Sequence, residues 1–129
     1  MIPENIAFLF VLAFFSIVFL QSGLDKFIDY KGNLSFLKGL FKAFFPAPLI
    51  TLALISLTIL EVIAGLLFLI GIGDFIFNDS SFVGLLGLIT GSLALLVLLF
   101  GQRVAKNYEG AKTIAIYFIL AIIGIVLAQ

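Results

Sequence analysis

Four apolar runs divide this chain, and each is close to the length that a helix needs to cross a lipid bilayer. They cover residues 6–24, 49–72, 82–100 and 113–128, with short polar segments between them. A helix spans roughly 30 Å of hydrocarbon with about 20 residues, in a range of about 17–25. The first three runs meet that length directly. The fourth is slightly short, but Lys112 can snorkel at one end while Gln129 closes the other. Glu61 is the one charge in the second run, and the third and fourth have none. The runs are continuous, without the alternation of a barrel strand. Joined by short loops, they predict consecutive antiparallel helices: an all-α integral membrane four-helix bundle, forming one transmembrane domain over residues 1–129.

Composition closes off the alternatives. Hydrophobic residues make up 64% of the 129 positions and charged residues 11%, whereas a soluble domain carries about 25% charged. Too little polar surface exists to coat a water-soluble globule. A soluble enzyme, a nucleic-acid-binding domain and a disordered linker are excluded. Seven basic and seven acidic residues cancel, so no net field points to DNA or RNA. Cysteine and histidine are absent, which removes disulfides, thiol redox chemistry, zinc sites and bis-histidine haem. The chain alone is expected to hold no metal and no cofactor, and not to be an enzyme by itself.

The first run is read as a retained span. Residues 1–5 have no Lys or Arg, and no Ala-x-Ala site follows the run, as a cleaved signal peptide would require. All basic residues fall in two loops: Lys26, Lys31, Lys38 and Lys42 after the first run, and Arg103, Lys106 and Lys112 after the third. The positive-inside rule places both loops in the cytoplasm and both termini outside it, in a bacterial inner membrane. The outer loop, 74–81, has only acidic charges, Asp74 and Asp79.

The first basic loop contains an amphipathic segment at about 34–45. Leu37, Leu40, Phe41, Phe44 and Phe45 share one helical face, with Ser35, Lys38 and Lys42 towards the other. Such a helix lies in the interface with its lysines near lipid phosphates, until Pro46 and Pro48 redirect the chain. It either anchors the loop as a collar or offers a docking face to a partner subunit or a hydrophobic ligand such as a quinone.

Glu61 is the sharpest single signal. A charged carboxylate at mid-membrane costs on the order of 2.5–3.5 kcal/mol, so it must face the bundle and find a partner. Burial alone favours its protonated form. Thr58, Ala64 and Gly65 share its face and are small or polar, which marks the packed side of the helix. Glu61, with Thr58 beside it, is therefore either a proton-handling or ligand-binding site or an interhelical hydrogen-bonding element.

A second cluster closes the first run. Gln21, Asp25 and Asp29 recur every fourth residue on one helical face, and Ser22 and Lys26 form the adjacent stripe. Two carboxylates and an amide could contribute to a cation site. The plainer account is a helix leaving the membrane, with Lys26 complementing its C-terminal dipole and Asp29 pairing locally with Lys26. If this end tilts inward, Lys26 or Gln21 can approach the Glu61 stripe. In the third run, Gly87-x-x-x-Gly91 reads as a packing groove within the bundle or as a homodimer seam. Ala111, Ala115, Ala121, Gly124 and Ala128 suggest similar close packing in the fourth.

Taken together, Gly23-x-x-Lys26-Phe27, the loop with Pro46 and Pro48, and Glu61-x-x-x-Gly65 followed by Gly71 resemble the DoxX-like family of small four-helix membrane proteins. The motif likeness covers about residues 6–73, and the remainder is alike only in architecture and length. It implies a membrane protein that accompanies oxidoreductases, with Gly23, Lys26, Glu61, Gly65 and Gly71 at family-type positions. The missing His and Cys, which some relatives carry, weigh against an independent redox role. The leading expectation is thus a non-catalytic membrane subunit or assembly partner of a redox-linked complex, in contact with the bilayer and a protein partner. The alternatives are a quinone-binding subunit of a multi-subunit oxidoreductase and a small proton-coupled transporter. Against the transporter, no Trp is present to line a cation site.

Overall fold

The structure is a computed structural model that describes residues 6–129. It contains five helices: α1 (Ile6–Ile28), α2 (Tyr30–Phe41), α3 (Ala47–Asn78), α4 (Phe82–Val104) and α5 (Tyr108–Ala128). All but α2 are long and apolar enough to cross a membrane, and no strand occurs among the described residues. The protein is an all-α integral membrane bundle, with the amphipathic segment between the first two spans. The basic-free stretch 1–5 used against a signal peptide lies outside the described residues.

Helix α3 packs against α1 and α4, and α5 closes onto α4. The core they share is built from phenylalanines of α1 and α3. Phe15 stacks on Phe68 with ring centroids 5.5 Å apart, Phe19 sits 5.6 Å from Phe68, and Phe8 meets Phe75 edge-on at 5.1 Å. Glycines on the facing helix make room for them. A methyl at Gly87 or Gly91 would press on the Phe68 ring, and at Gly91 also on Phe19. Of the two readings of Gly87-x-x-x-Gly91, the packing groove is the one seen: both glycines are buried against aromatic rings of the same chain. The outer faces carry Phe10, Ile17, Ile59, Val97, Ile119 and many similar side chains. In water such a surface would drive aggregation, and in hydrocarbon it is the lipid contact.

Each span is longer than its apolar run, for local reasons. Gly71, Gly73 and Asp74 suggest an early end to α3, yet the helix continues to Asn78. Phe75 is drawn into the core, Asn78 donates to the Asp74 carboxylate at 2.9 Å, and only a left-handed Asp79 stops the turn. At 32 residues α3 is about 48 Å long and overshoots the hydrocarbon. Pro48 is tolerated in its first turn, where its missing N–H leaves no bond unmade. Helix α5 starts at Tyr108, before the apolar run, because the Asn107 side chain caps Gly110 N–H at 3.2 Å.

The interfacial helix is shifted from 34–45 to Tyr30–Phe41. Asp29 accepts from Gly32 N–H at 3.3 Å, and Asn33 donates to the Asp29 carbonyl at 2.9 Å, so a new helix begins with Asp29 as the one residue between it and α1. Beyond Lys42 the chain turns. Phe45 folds back beside Phe41, with centroids 6.0 Å apart, while Phe44 is exposed and does not share the apolar face. The antiparallel order brings both basic connections to one end of the bundle.

Candidate functional site

Two helices position the site. The last two turns of α1 present Ser22 and Lys26 on one stripe, four residues apart, and the middle of α3 presents Glu61. The two helices approach closely because glycines flank the polar group on both sides. A methyl at Gly23 would meet the side chain and backbone nitrogen of Val62, at 2.7 and 3.3 Å. One at Gly65 would meet Leu20, again including its backbone nitrogen, at 3.1 Å. Side chains at either position would hold the helices apart and break the contact between them.

Within that seam the three side chains form a closed ring. The Lys26 ammonium lies 2.9 Å from Glu61 Oε1. It also donates to Ser22 Oγ at 2.7 Å, and Ser22 in turn donates to Glu61 Oε2 at 2.8 Å. The hydroxyl thus accepts from the cation and donates to the anion. Glu61 is 2% exposed and the Lys26 side chain 16%, so the ammonium is the member nearest the outside. A buried carboxylate is tolerable when a cation and hydrogen bonds satisfy it; here Oε2 accepts from Ser22, while Oε1 lies in ion-pair contact with the ammonium and accepts no hydrogen bond. The structure sets a countercharge beside Glu61.

The register also moves Glu61. On α3 it is central, but in the bundle it is level with Ser22, about 9 Å from the C-terminal end of α1. The carboxyl therefore lies in the half of the bundle nearer the basic end, rather than at the midplane.

The other candidate residues divide. Thr58 bonds the Leu54 carbonyl of its own helix at 2.7 Å and does not reach Glu61. The Asp29 side chain caps α2, which corrects the expected local pair with Lys26, while its backbone N–H still bonds the Asp25 carbonyl at 3.0 Å. Gln21 and Asp25 are both exposed on the outer face of α1; the Asn33 amide donates to the Asp25 carbonyl at 3.4 Å, but neither the Gln21 nor the Asp25 side chain bonds another described residue. No group of three potential metal-ligating side chains occurs among the described residues. Of the positions on which the resemblance was drawn, Gly23, Lys26, Glu61 and Gly65 meet in one α1–α3 seam. Gly71 lies further along α3, where it touches Gly84 of α4 backbone to backbone.

The sequence places Ser22 on the Lys26 stripe but assigns it no role; the structure makes it the bridge between Lys26 and Glu61. A cavity of about 400 Å³ was also missed. It lies between α2, α3 and the end of α4, and its α3 wall includes Leu54 and Leu57, the latter one helical turn before Glu61. Comparisons with protein-family profiles, curated proteins and solved structures find no match to this chain.

Proposed function

We propose that the protein is a non-catalytic membrane subunit or assembly partner of a redox-linked complex, with Glu61 at its structural centre. The observation that carries this reading is the Gln21–Asp25 stripe. Both side chains stand on the outside of α1 at the depth of the Glu61 ring, where the surrounding surface is apolar. An amide facing hydrocarbon is costly, and a helix from another chain that hydrogen-bonds to it removes the cost. The Ser22–Lys26–Glu61 ring fixes the rotation of α1 that points the stripe outward. The likeness of Gly23, Lys26, Glu61 and Gly65 to the DoxX-like pattern supports the redox-linked part. In this reading the chain sits in a bacterial inner membrane with both termini outside the cytoplasm.

Photo-crosslinking in the native membrane tests it. A photoreactive residue replacing Gln21 should give one dominant protein adduct, identified by mass spectrometry as a subunit of an oxidoreductase. The same residue replacing Ile116, on the lipid face of α5, should give lipid adducts only. Equal patterns at the two positions would overturn the proposal.

A further inference from the structure

We infer that the cavity under α2 is a binding site for one acyl chain of an anionic phospholipid, whose headgroup is held by the surrounding cations. The inference rests on the bilayer location of the bundle and not on the partner proposed above. Its volume of about 400 Å³ falls within the range of sites for small lipophilic molecules, roughly 300–1,000 Å³. Its wall is almost wholly apolar: Leu37, Leu40 and Phe41 of α2 form the roof, with Ala53 and Leu57 of α3 and Leu98 of α4 below. Helix α2 itself has no buried residue, so it covers the cavity without sealing it.

Charge selects the occupant. Lys38 and Lys42 are chain neighbours of the roof residues Leu37 and Phe41, on the more polar stripe of α2, and Arg103 and Lys106 are chain neighbours of the lining residues Gln102 and Asn107, with Arg103 over the Tyr108 ring at 5.2 Å. Among the described residues, none of these four cations has an ion-pair partner, since the ion pairs there are Lys26–Glu61 and Lys112–Glu109. No Asp or Glu occurs in residues 30–60 or 80–108, the segments that build the cavity and its rim. An apolar slot with an uncompensated basic rim at a membrane interface matches an acyl chain below an anionic phosphate. A neutral ring compound would leave Lys38, Lys42 and Lys106 without a counterpart.

The full chain, purified in mild detergent, can be examined by native mass spectrometry with dioleoyl-phosphatidylglycerol and dioleoyl-phosphatidylcholine as probes. The expected result is one bound phosphatidylglycerol, preferred about tenfold or more over phosphatidylcholine. Replacing both Lys38 and Lys42 by Ala should abolish the preference. Gly101→Leu should abolish retention of both lipids, because a side chain there enters the cavity with only Phe41 nearby, at 3.5 Å. Ala53→Phe fills the slot from the opposite wall and provides a second test if Gly101→Leu fails to fold. Equal retention of the two lipids by the unaltered chain would overturn the proposal. So would undiminished phosphatidylglycerol binding in a correctly folded filled-cavity variant, or displacement of the lipid by a stoichiometric short-chain quinone.

Discussion

Lys26 and Glu61 stand 35 positions apart in the chain, yet their charged atoms are 2.9 Å apart, one of them almost wholly buried. The contact joins the end of α1 to the middle of α3 and makes the polar centre of the protein a pair rather than a lone carboxyl. Its consequences for substitution differ from those of a neutral hydrogen-bonding residue.

Glu61→Gln removes the charge and keeps the shape, leaving the Lys26 ammonium beside an amide. Breaking a buried pair from one side costs about 3–5 kcal/mol. The effect should fall toward the lower end here, because Lys26 can extend outward along its stem. Replacing both partners, Lys26→Met with Glu61→Leu, should recover most of the loss, since an apolar pair leaves no orphaned charge. Unfolding in detergent for the two single variants and the double variant measures the coupling. A Glu61→Gln protein as stable as the original would show that the pair contributes nothing to the fold.

Gly71 and Gly73 lie two residues apart on α3 and should respond oppositely to alanine. At Gly71 the added carbon would sit 2.7 Å from the backbone of Gly84, which cannot move without shifting α4. Overpacking of this kind costs about 1–3 kcal/mol. At Gly73 nothing lies within 4 Å, so alanine should be neutral or stabilise the helix by about 0.5–1 kcal/mol. Midpoints of thermal unfolding would separate them, and a Gly71→Ala protein as stable as Gly73→Ala would show that α3 and α4 are not in contact at Gly84.

The spans could be read from the sequence because uninterrupted apolar runs admit almost one solution in a bilayer. Their ends could not. Asp74 and Lys112 look like loop residues by type, whereas the Phe75–Phe8 contact and the Asn107 cap decide where the helices stop. The site was half legible. Glu61 announces itself by its charge, and the small residues around it show which way it faces. Its partner depends on the rotation of α1 and on the close approach at Gly23 and Gly65. One sequence does not reveal that α2 begins at Tyr30, and so it left Asp29 and Lys26 on one continuous helix. The cavity depends on how α2 folds back over α3 and α4, and no periodicity encodes that contact.

Phe68→Ala should be among the most damaging core changes. The ring fills the space between Phe15, Phe19, Gly87 and Gly91, so its loss opens a void among three helices. Truncating a buried Phe costs about 3–5 kcal/mol. Phe10→Ala removes the same atoms from a residue that is 68% exposed, and lipid tails can refill that space. Detergent unfolding should show a large loss for the first and little for the second. Comparable losses would mean that the Phe10 face is covered by protein.

Topology follows from the separation of charge. All seven basic residues occur in the α1–α3 and α4–α5 connections or at their helix ends, whereas Asp74 and Asp79 mark the opposite end. Orientation responds to Lys and Arg in short loops and hardly at all to acidic residues, so the bias is seven to none. A periplasmic-type reporter such as alkaline phosphatase should be active when fused after Gln129 and inactive when fused at Asn107. Moving the bias should move the protein: three lysines placed around Ser80, with Lys31, Lys38 and Lys42 replaced by Gln, should yield a mixed population. The Lys26–Glu61 pair is retained in that variant, so a change in reporter activity reports orientation and not loss of the seam. Cytoplasmic behaviour of the Gln129 fusion in the unaltered protein would show that the basic end faces outward, contrary to the charge rule.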